Sequence, residues 1–107
     1  MAKLTAIQKA DRRDLLEAIH DAGGAVFTFP MLGVTVAIRP AVSGKPDSQF
    51  VHVSIAQCDM DMDVFKRKVG ELMALDRMYA YDNYISISRN GRTNEHIAAD
   101  MKDFLNQ

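Results

Sequence analysis

The stretch AVFTFPMLGVTVAIR, residues 25 to 39, constrains the fold more than any other part of the sequence. Large apolar side chains alternate with smaller or more polar ones on both sides of a proline and a glycine, as in two β-strands joined by a tight connection. If residues 30 to 33 form the loop, Phe29 faces Val34 and Phe27 faces Val36. The sequence therefore predicts an antiparallel hairpin in which only one face of the sheet packs on the core.

Two later segments continue the alternation. FVHVSIA, residues 50 to 56, predicts a third strand whose inward side chains are Val51, Val53 and Ile55. RMYAYDNYISISR, residues 77 to 89, predicts a second hairpin that turns at Asp82 and Asn83, because these residue types tolerate a positive φ. In that hairpin the tyrosines of the segment share the outward face: Tyr79, Tyr81 and Tyr84.

Three helices complete the pattern. Thr5 and Gln8 have capping-box spacing at the start of a helix over residues 6 to 21. Asp63 is the expected cap of a second helix over residues 64 to 75, and Thr93 or Asn94 that of a third. The predicted fold is α+β, with a mainly antiparallel sheet of about five strands covered by helices on one face, in the order α-β-β-β-α-β-β-α. With 107 residues, 48% of them hydrophobic, we expect one globular domain, residues 1-107.

The run QCDMDMDVFKRK, residues 57 to 68, places Asp59, Asp61 and Asp63 at alternate positions, which is how an EF-hand calcium loop begins. The rest of that loop is missing, since its sixth position should be glycine and is Val64, while its twelfth should be glutamate and is Gly70. The pattern therefore favours the entrance of a helix over a metal site.

Catalytic and cofactor motifs are weak. Cys58 and His52 are the closest approach to a nucleophile and a base, and their spacing matches no catalytic motif. No two histidines have metal-ligand spacing, and no glycine-rich loop follows a strand to hold phosphates. We therefore expect a non-enzymatic protein without a cofactor or metal.

The net charge narrows the class of binding partner, and the cysteine content narrows the cellular compartment in which the protein is expected. A net charge of −1 argues against a general polyanion binder. The lone Cys58 suits a reducing compartment, and charged residues at the N-terminus precede any apolar stretch of the kind found in signal peptides. A cytoplasmic location without membrane contact is the expectation.

One turn has the features of an anion site. Arg89 and Arg92 bracket Asn90 and Gly91 immediately before the last helix, whose first amide groups favour a negative charge. A carboxylate or phosphate of a partner would fit there. Two solvated arginines at an ordinary turn are the alternative.

These features favour a small binding protein, such as a bacterial or phage accessory or inhibitor protein, that recognises a protein partner or a second copy of itself. Tyrosine and arginine are enriched where interfaces bind most strongly. The predicted partner-binding residues are Tyr79, Tyr81, Tyr84, Arg77, Arg89 and Arg92. The alternative is a nucleic-acid-binding domain in which the tyrosines stack on bases while these arginines and the triplet at residues 66 to 68 contact phosphates. Whether the tyrosine face is exposed or covered by a helix of the same chain is open at this stage.

Overall fold

The computed structural model of the chain describes residues 3–61 and 64–106. The helices are α1 (Ala6–Asp21), α2 (Arg67–Tyr79) and α3 (Asn94–Leu105), and the strands are β1 (Ala25–Phe29), β2 (Val34–Pro40), β3 (Phe50–Gln57) and β4 (Ile85–Ser88). The strands form a four-stranded antiparallel sheet in the order β1-β2-β3-β4. The predicted α+β class is confirmed, with four strands in place of about five.

The first hairpin has the predicted register. Phe29 lies opposite Val34 and Phe27 lies opposite Val36. Pro30–Leu32 form one short 3₁₀ turn, and Gly33 closes it with a φ of 65°, a left-handed conformation that glycine adopts without strain. The alternation of side chains and the turn residues therefore specify the same pairing.

Helices cover both faces of the sheet, so the prediction of one covered face is wrong. One face contributes Val36, Ile38 and Val53 to a core that α3 covers with Ile97. The opposite face packs against α1 and α2. The buried residues of this second cluster are Ile19, Ala37, Ala56, Ala74, Leu75 and Met78. The small side chains that suggested a solvated face are small because helices lie against them.

The contact between α2 and β2 is unusually close at Gly70. A Cβ atom placed on Gly70 would lie 2.5 Å from the Oγ1 atom of Thr35. Thr35 is fully buried, and its hydroxyl has no hydrogen-bond partner among the described residues. Glycine at this position thus lets the helix backbone approach the middle of the sheet.

The second predicted hairpin does not form, because its first half belongs to α2. Leu72, Leu75 and Met78 follow helical spacing, and each is at most 5% exposed. Packing of this stripe on the sheet overrides the alternation seen in residues 77 to 81. β4 pairs instead with β3, and Ile85 lies opposite Val53.

The helix ends match the sequence in part. Thr5 caps α1 with the predicted capping box, and Thr93 caps α3. α2 begins later than predicted, with Lys66 at its N-cap and no side-chain cap. Asp63 lies outside the described residues. Two large apolar side chains of the helices, Ile7 in α1 and Phe104 in α3, are 75% and 68% exposed.

Candidate functional site

The site is centred on Arg39 of β2 and His52 of β3, which lie directly opposite each other in the β2–β3 ladder. The Nε–H of Arg39 donates a hydrogen bond of 3.1 Å to Nδ1 of His52. Because Nδ1 accepts this bond it carries no proton, and neutral His52 therefore keeps its proton on Nε2.

Tyr79, at the end of α2, and Tyr84, just before β4, pack on this pair. The guanidinium carbon of Arg39 lies 4.8 Å from the ring centroid of Tyr79 and 5.2 Å from that of Tyr84. The rings of His52 and Tyr84 stack, with centroids 4.1 Å apart and an interplanar angle of 30°. We call Arg39, His52, Tyr79 and Tyr84 the arginine–tyrosine cluster.

The cluster carries a single positive charge at neutral pH. Burial, and secondly the charge of Arg39, lowers the pKa of His52 below its ordinary value of 6.5, so the imidazole is neutral. Among the described residues, no carboxylate pairs with Arg39, and its two terminal nitrogens have no hydrogen-bond acceptor. The tyrosine rings therefore provide the main electrostatic partners of this cation.

A cleft of about 300 Å³ opens beside the cluster. Part of its wall is apolar and comes from the end of α1, and the lining residues with polar side chains are Arg39, Ser43, His52 and Tyr79. The lining residues are Ala18, Ala22, Arg39, Pro40, Ala41, Ser43, His52 and Tyr79. The arrangement suits a small anionic group that enters past apolar side chains and meets the guanidinium.

Tyr81 differs from the other two tyrosines, because its side chain is 74% exposed. It lies in the connection between α2 and β4, where Asp82 adopts a φ of 49°. The predicted common hairpin face is therefore wrong. The connection nevertheless carries one exposed tyrosine between two that hold Arg39.

Arg77 has a structural contact where a partner contact was predicted. Its Nη1 atom donates to the carbonyl of Ile55, which lies beyond the last β3–β4 pair, Val53 with Ile85. The guanidinium thus satisfies a strand carbonyl where β4 is no longer present. The hydroxyl of Ser54 donates a hydrogen bond of 2.8 Å to the carbonyl of Asn83, and this bond anchors the connection between α2 and β4.

Arg89 and Arg92 are also engaged within the chain. Arg92 donates to the carboxylate of Asp100 at 2.8 Å and to the carbonyl of Ser88 at 2.7 Å. Arg89 donates to the carbonyls of Ser48 and Arg92. These contacts hold the turn at the opposite end of β4 from Tyr84. The predicted residues therefore do not form one surface, and the anion site at this turn stays a prediction without support.

The basic triplet lies at the other end of α2. Together with the N-terminal segment it lines a cleft of about 390 Å³ whose positively charged residues are Lys3, Lys9, Lys66, Arg67 and Lys68. At about 1.5 Å per helical residue, Arg67 and Tyr79 are about 18 Å apart along the helix. The tyrosines and the triplet thus belong to different surfaces.

The acidic run forms a turn, because Oδ1 of Asp59 accepts a 3.1 Å hydrogen bond from the N–H of Asp61. α2 begins at Arg67 with Lys66 at its N-cap, so these two aspartates lie several residues before the helix. The predicted cap, Asp63, lies outside the described residues. In the part of the chain that is described, no three His, Cys, Asp or Glu side chains are grouped so as to hold a metal ion. Within the same ranges, no helix has the length and apolar character needed to cross a membrane.

Arg39 and His52 were absent from the predicted partner-binding residues. The sequence signal that could have found them is the register of β2 with β3. If the two strands are paired across the loop at residues 41 to 49, Arg39 lies opposite His52. The comparisons with known proteins add no further assignment: no protein-family model, curated protein or solved structure matches the chain.

Proposed function

We propose that the protein is a small non-enzymatic binding protein that recognises a protein partner through the arginine–tyrosine cluster and the exposed Tyr81. The observation that carries the proposal is the state of Arg39, a cation held between two aromatic rings with no acidic partner among the described residues. A half-buried charge without a counter-ion is costly, and a binding partner can supply the missing one.

The geometry favours a carboxylate as the group that the partner contributes. The Nε–H of Arg39 already bonds to His52, and the terminal nitrogens remain available for the two oxygens of one carboxylate. Stacking on Tyr79 and Tyr84 limits the motion of the guanidinium, so less conformational entropy is lost when it binds. An aspartate or glutamate side chain or a C-terminal carboxylate of the partner fits this description.

Tyr81 supplies the second part of the proposed surface. A tyrosine that is 74% exposed offers a large ring and a hydroxyl to a partner, and its truncation leaves the core of the protein unchanged. Tyrosine and arginine are both enriched among the residues that dominate protein interfaces.

The test is affinity capture from lysate of the organism that encodes the chain, with and without nuclease, followed by titration of the captured protein. Arg39→Gln and Tyr81→Ala should each weaken binding by about 2 kcal/mol, or about 30-fold in the dissociation constant. Arg39→Lys should fail as well, because lysine keeps the charge but loses the planar fork. Arg13→Gln is the matched control, since the Arg13 side chain is 71% exposed on α1.

The melting temperature of each variant is measured alongside. Full-strength capture of the same protein by Arg39→Gln and Tyr81→Ala would contradict the proposal, as would equal loss in Arg13→Gln. Unfolding of the Tyr81→Ala variant would also contradict it, because an exposed side chain should be dispensable for stability.

The alternative is a nucleic-acid-binding domain, and the basic cleft at the start of α1 and α2 is the observation that favours it. Five cations line that cleft, and no acidic residue in the described part of the chain does. Contacts to phosphates release counter-ions, so the affinity for a single-stranded oligonucleotide would fall steeply as salt rises. Capture that disappears after nuclease treatment, together with a steep salt dependence that Lys68→Gln reduces, would select this function over protein binding.

A further inference from the structure

β4 forms one edge of the sheet, and the hydrogen bonds around it show which main-chain groups face outward. The N–H of Arg89 donates 2.7 Å to the carbonyl of Gln49, which continues the register that pairs Ser88 with Phe50. In an antiparallel ladder, pairs that exchange hydrogen bonds alternate with pairs that do not. Ile85 and Ile87 therefore bond to β3, and Ser86 and Ser88 direct their N–H and C=O groups away from it. The carbonyl of Ser88 accepts a 2.7 Å hydrogen bond from Arg92, so the groups left open at the edge are the N–H and C=O of Ser86 and the N–H of Ser88.

The β2–β3 ladder gives the same phase independently. The N–H of Ala41 donates 3.0 Å to the carbonyl of Phe50, so the main chain of Phe50 bonds towards β2. Phe50 is the β3 residue opposite Ser88, and a strand residue directs both of its main-chain groups to the same neighbour. The N–H and C=O of Ser88 thus have no partner in β3.

The open edge lacks most of the features that protect edge strands. β4 has the sequence Ile85, Ser86, Ile87, Ser88, and contains neither a proline nor a charged residue. Its protective features are its brevity and the side chain of Arg92, which donates a hydrogen bond to the carbonyl of Ser88. Ile85 lies on the same face of the sheet as α3, but its side chain is not covered by that helix and is 51% exposed. Ser86 is exposed as well. Within the described ranges, no other strand pairs with this edge.

We propose that two copies of the chain associate through β4. The two β4 strands pair in antiparallel orientation, and the two-fold axis passes between the Ser86 residues of the two copies. In this register the two Ser86 residues exchange both of their outward hydrogen bonds. Ile85 of each copy then lies opposite Ile87 of the other, as a pair without hydrogen bonds, in which side chains approach most closely. The hydrogen-bond phase and the apolar side chains thus select the same alignment.

Charge distribution favours a second copy in this antiparallel orientation. Asp82 precedes the N-terminal end of β4, and Arg89 follows its C-terminal end. Antiparallel pairing brings the acidic end of each strand beside the basic end of the other, twice. Parallel pairing would place like charges together, which is destabilising. The interface is isologous, as is common for two-fold dimers.

The test compares Ser86→Pro with Ser86→Ala by sedimentation equilibrium. Wild type and Ser86→Ala, which retains the outward N–H, should be dimeric with similar dissociation constants. Ser86→Pro removes the outward donor of both copies while sparing the bonds of Ile85 and Ile87 to β3, and proline is tolerated in edge strands. Loss of two hydrogen bonds should raise the dissociation constant by about 30-fold.

Amide hydrogen exchange on the wild type provides the second readout and does not depend on the folding of a variant. In the dimer, the amides of Ser86 and Ser88 should become protected as protein concentration increases. A wild type that stays monomeric at millimolar concentration, with a Ser86 amide that exchanges freely, would overturn the proposal. Equal dimerisation of folded Ser86→Pro and Ser86→Ala would overturn it too, since a dimer at another surface would then be present.

Discussion

The substitution Gly70→Ala tests the close approach of α2 to β2. The added Cβ would lie 2.5 Å from Oγ1 of Thr35 and 3.1 Å from Cε1 of Phe65, whereas ordinary contacts begin at 3.4 Å. The first overlap is therefore about 0.9 Å. Thr35 is fully buried in a central strand and its branched side chain has few rotamers, so the helix has to move away from the sheet.

The magnitude follows from two opposing terms. Overpacking of a well-packed core costs about 1–3 kcal/mol. Alanine gains about 1 kcal/mol over glycine inside a helix. We expect Gly70→Ala to lower the free energy of unfolding by about 1 kcal/mol in net terms.

Thr35→Ala should reverse this loss when it is combined with Gly70→Ala. It removes the clashing hydroxyl, which is buried and has no hydrogen-bond partner among the described residues, and it leaves room for the new methyl group. The double mutant should therefore be more stable than the sum of the single mutants by about 2 kcal/mol, within the range observed for residues in contact.

Urea denaturation followed by circular dichroism measures all four proteins of the cycle, and an unchanged m-value shows that each exposes the same surface on unfolding. Additivity within about 0.5 kcal/mol would refute the reasoning, because it would mean that the two sites do not share the contact.

Three further predictions concern the rest of the molecule. The pKa of His52 is lowered by folding, so the unfolded chain takes up this proton first; the melting temperature should fall as pH drops below about 6.5, and less so in His52→Gln, which retains every other titrating group. Arg12→Met leaves Glu71, which is 6% exposed, without its 2.9 Å partner and should cost about 2 kcal/mol of unfolding free energy in chemical denaturation, most of it recovered by adding Glu71→Gln. Phe104→Ser should change that free energy by no more than about 0.5 kcal/mol, while Ile19→Ala should cost about 3 kcal/mol, and a large loss in the first would contradict the assigned burial.

The parts of the fold that were predictable are those in which two local signals agree. The β1–β2 register followed from alternating side chains and from a turn with Pro30 and Gly33, and both indicate the same pairing. The cap at Thr5 followed from its spacing to Gln8, which involves only neighbouring residues.

The errors arise where the sequence fits two periodicities. Met78 and Ala80 alternate as in a strand, yet Leu75 and Met78 are also spaced as in a helix. Contact with the second face of the sheet decides between them, and that contact is a property of the whole fold. An error in the same segment placed Tyr79 on a strand.

The site shows the same division. Tyrosines attract attention in a sequence because they are large and suited to interfaces, and two of them do take part in the cluster. The proximity of Arg39 and His52 is hard to predict because it depends on the pairing of two strands across the loop at residues 41 to 49. Pro40 directly precedes this loop, and Pro46 lies within it. The contacts of Arg77, Arg89 and Arg92 within the chain were not predictable for a related reason, since sequence alone does not show which carbonyl groups need a donor.

The placement of α1 bears on the order in which the chain can fold. α1 has 16 residues, and an isolated helix of this length is only marginally stable in water. The residues that bury Ile19 belong to β2, β3 and α2, and the Arg12–Glu71 pair spans 59 residues of sequence. β1, β2 and β3 pair with chain neighbours and can associate early, because short loops cost little entropy to close. On the ribosome, α1 is therefore made before the elements that stabilise it, and its docking cannot be complete until α2 has been synthesised.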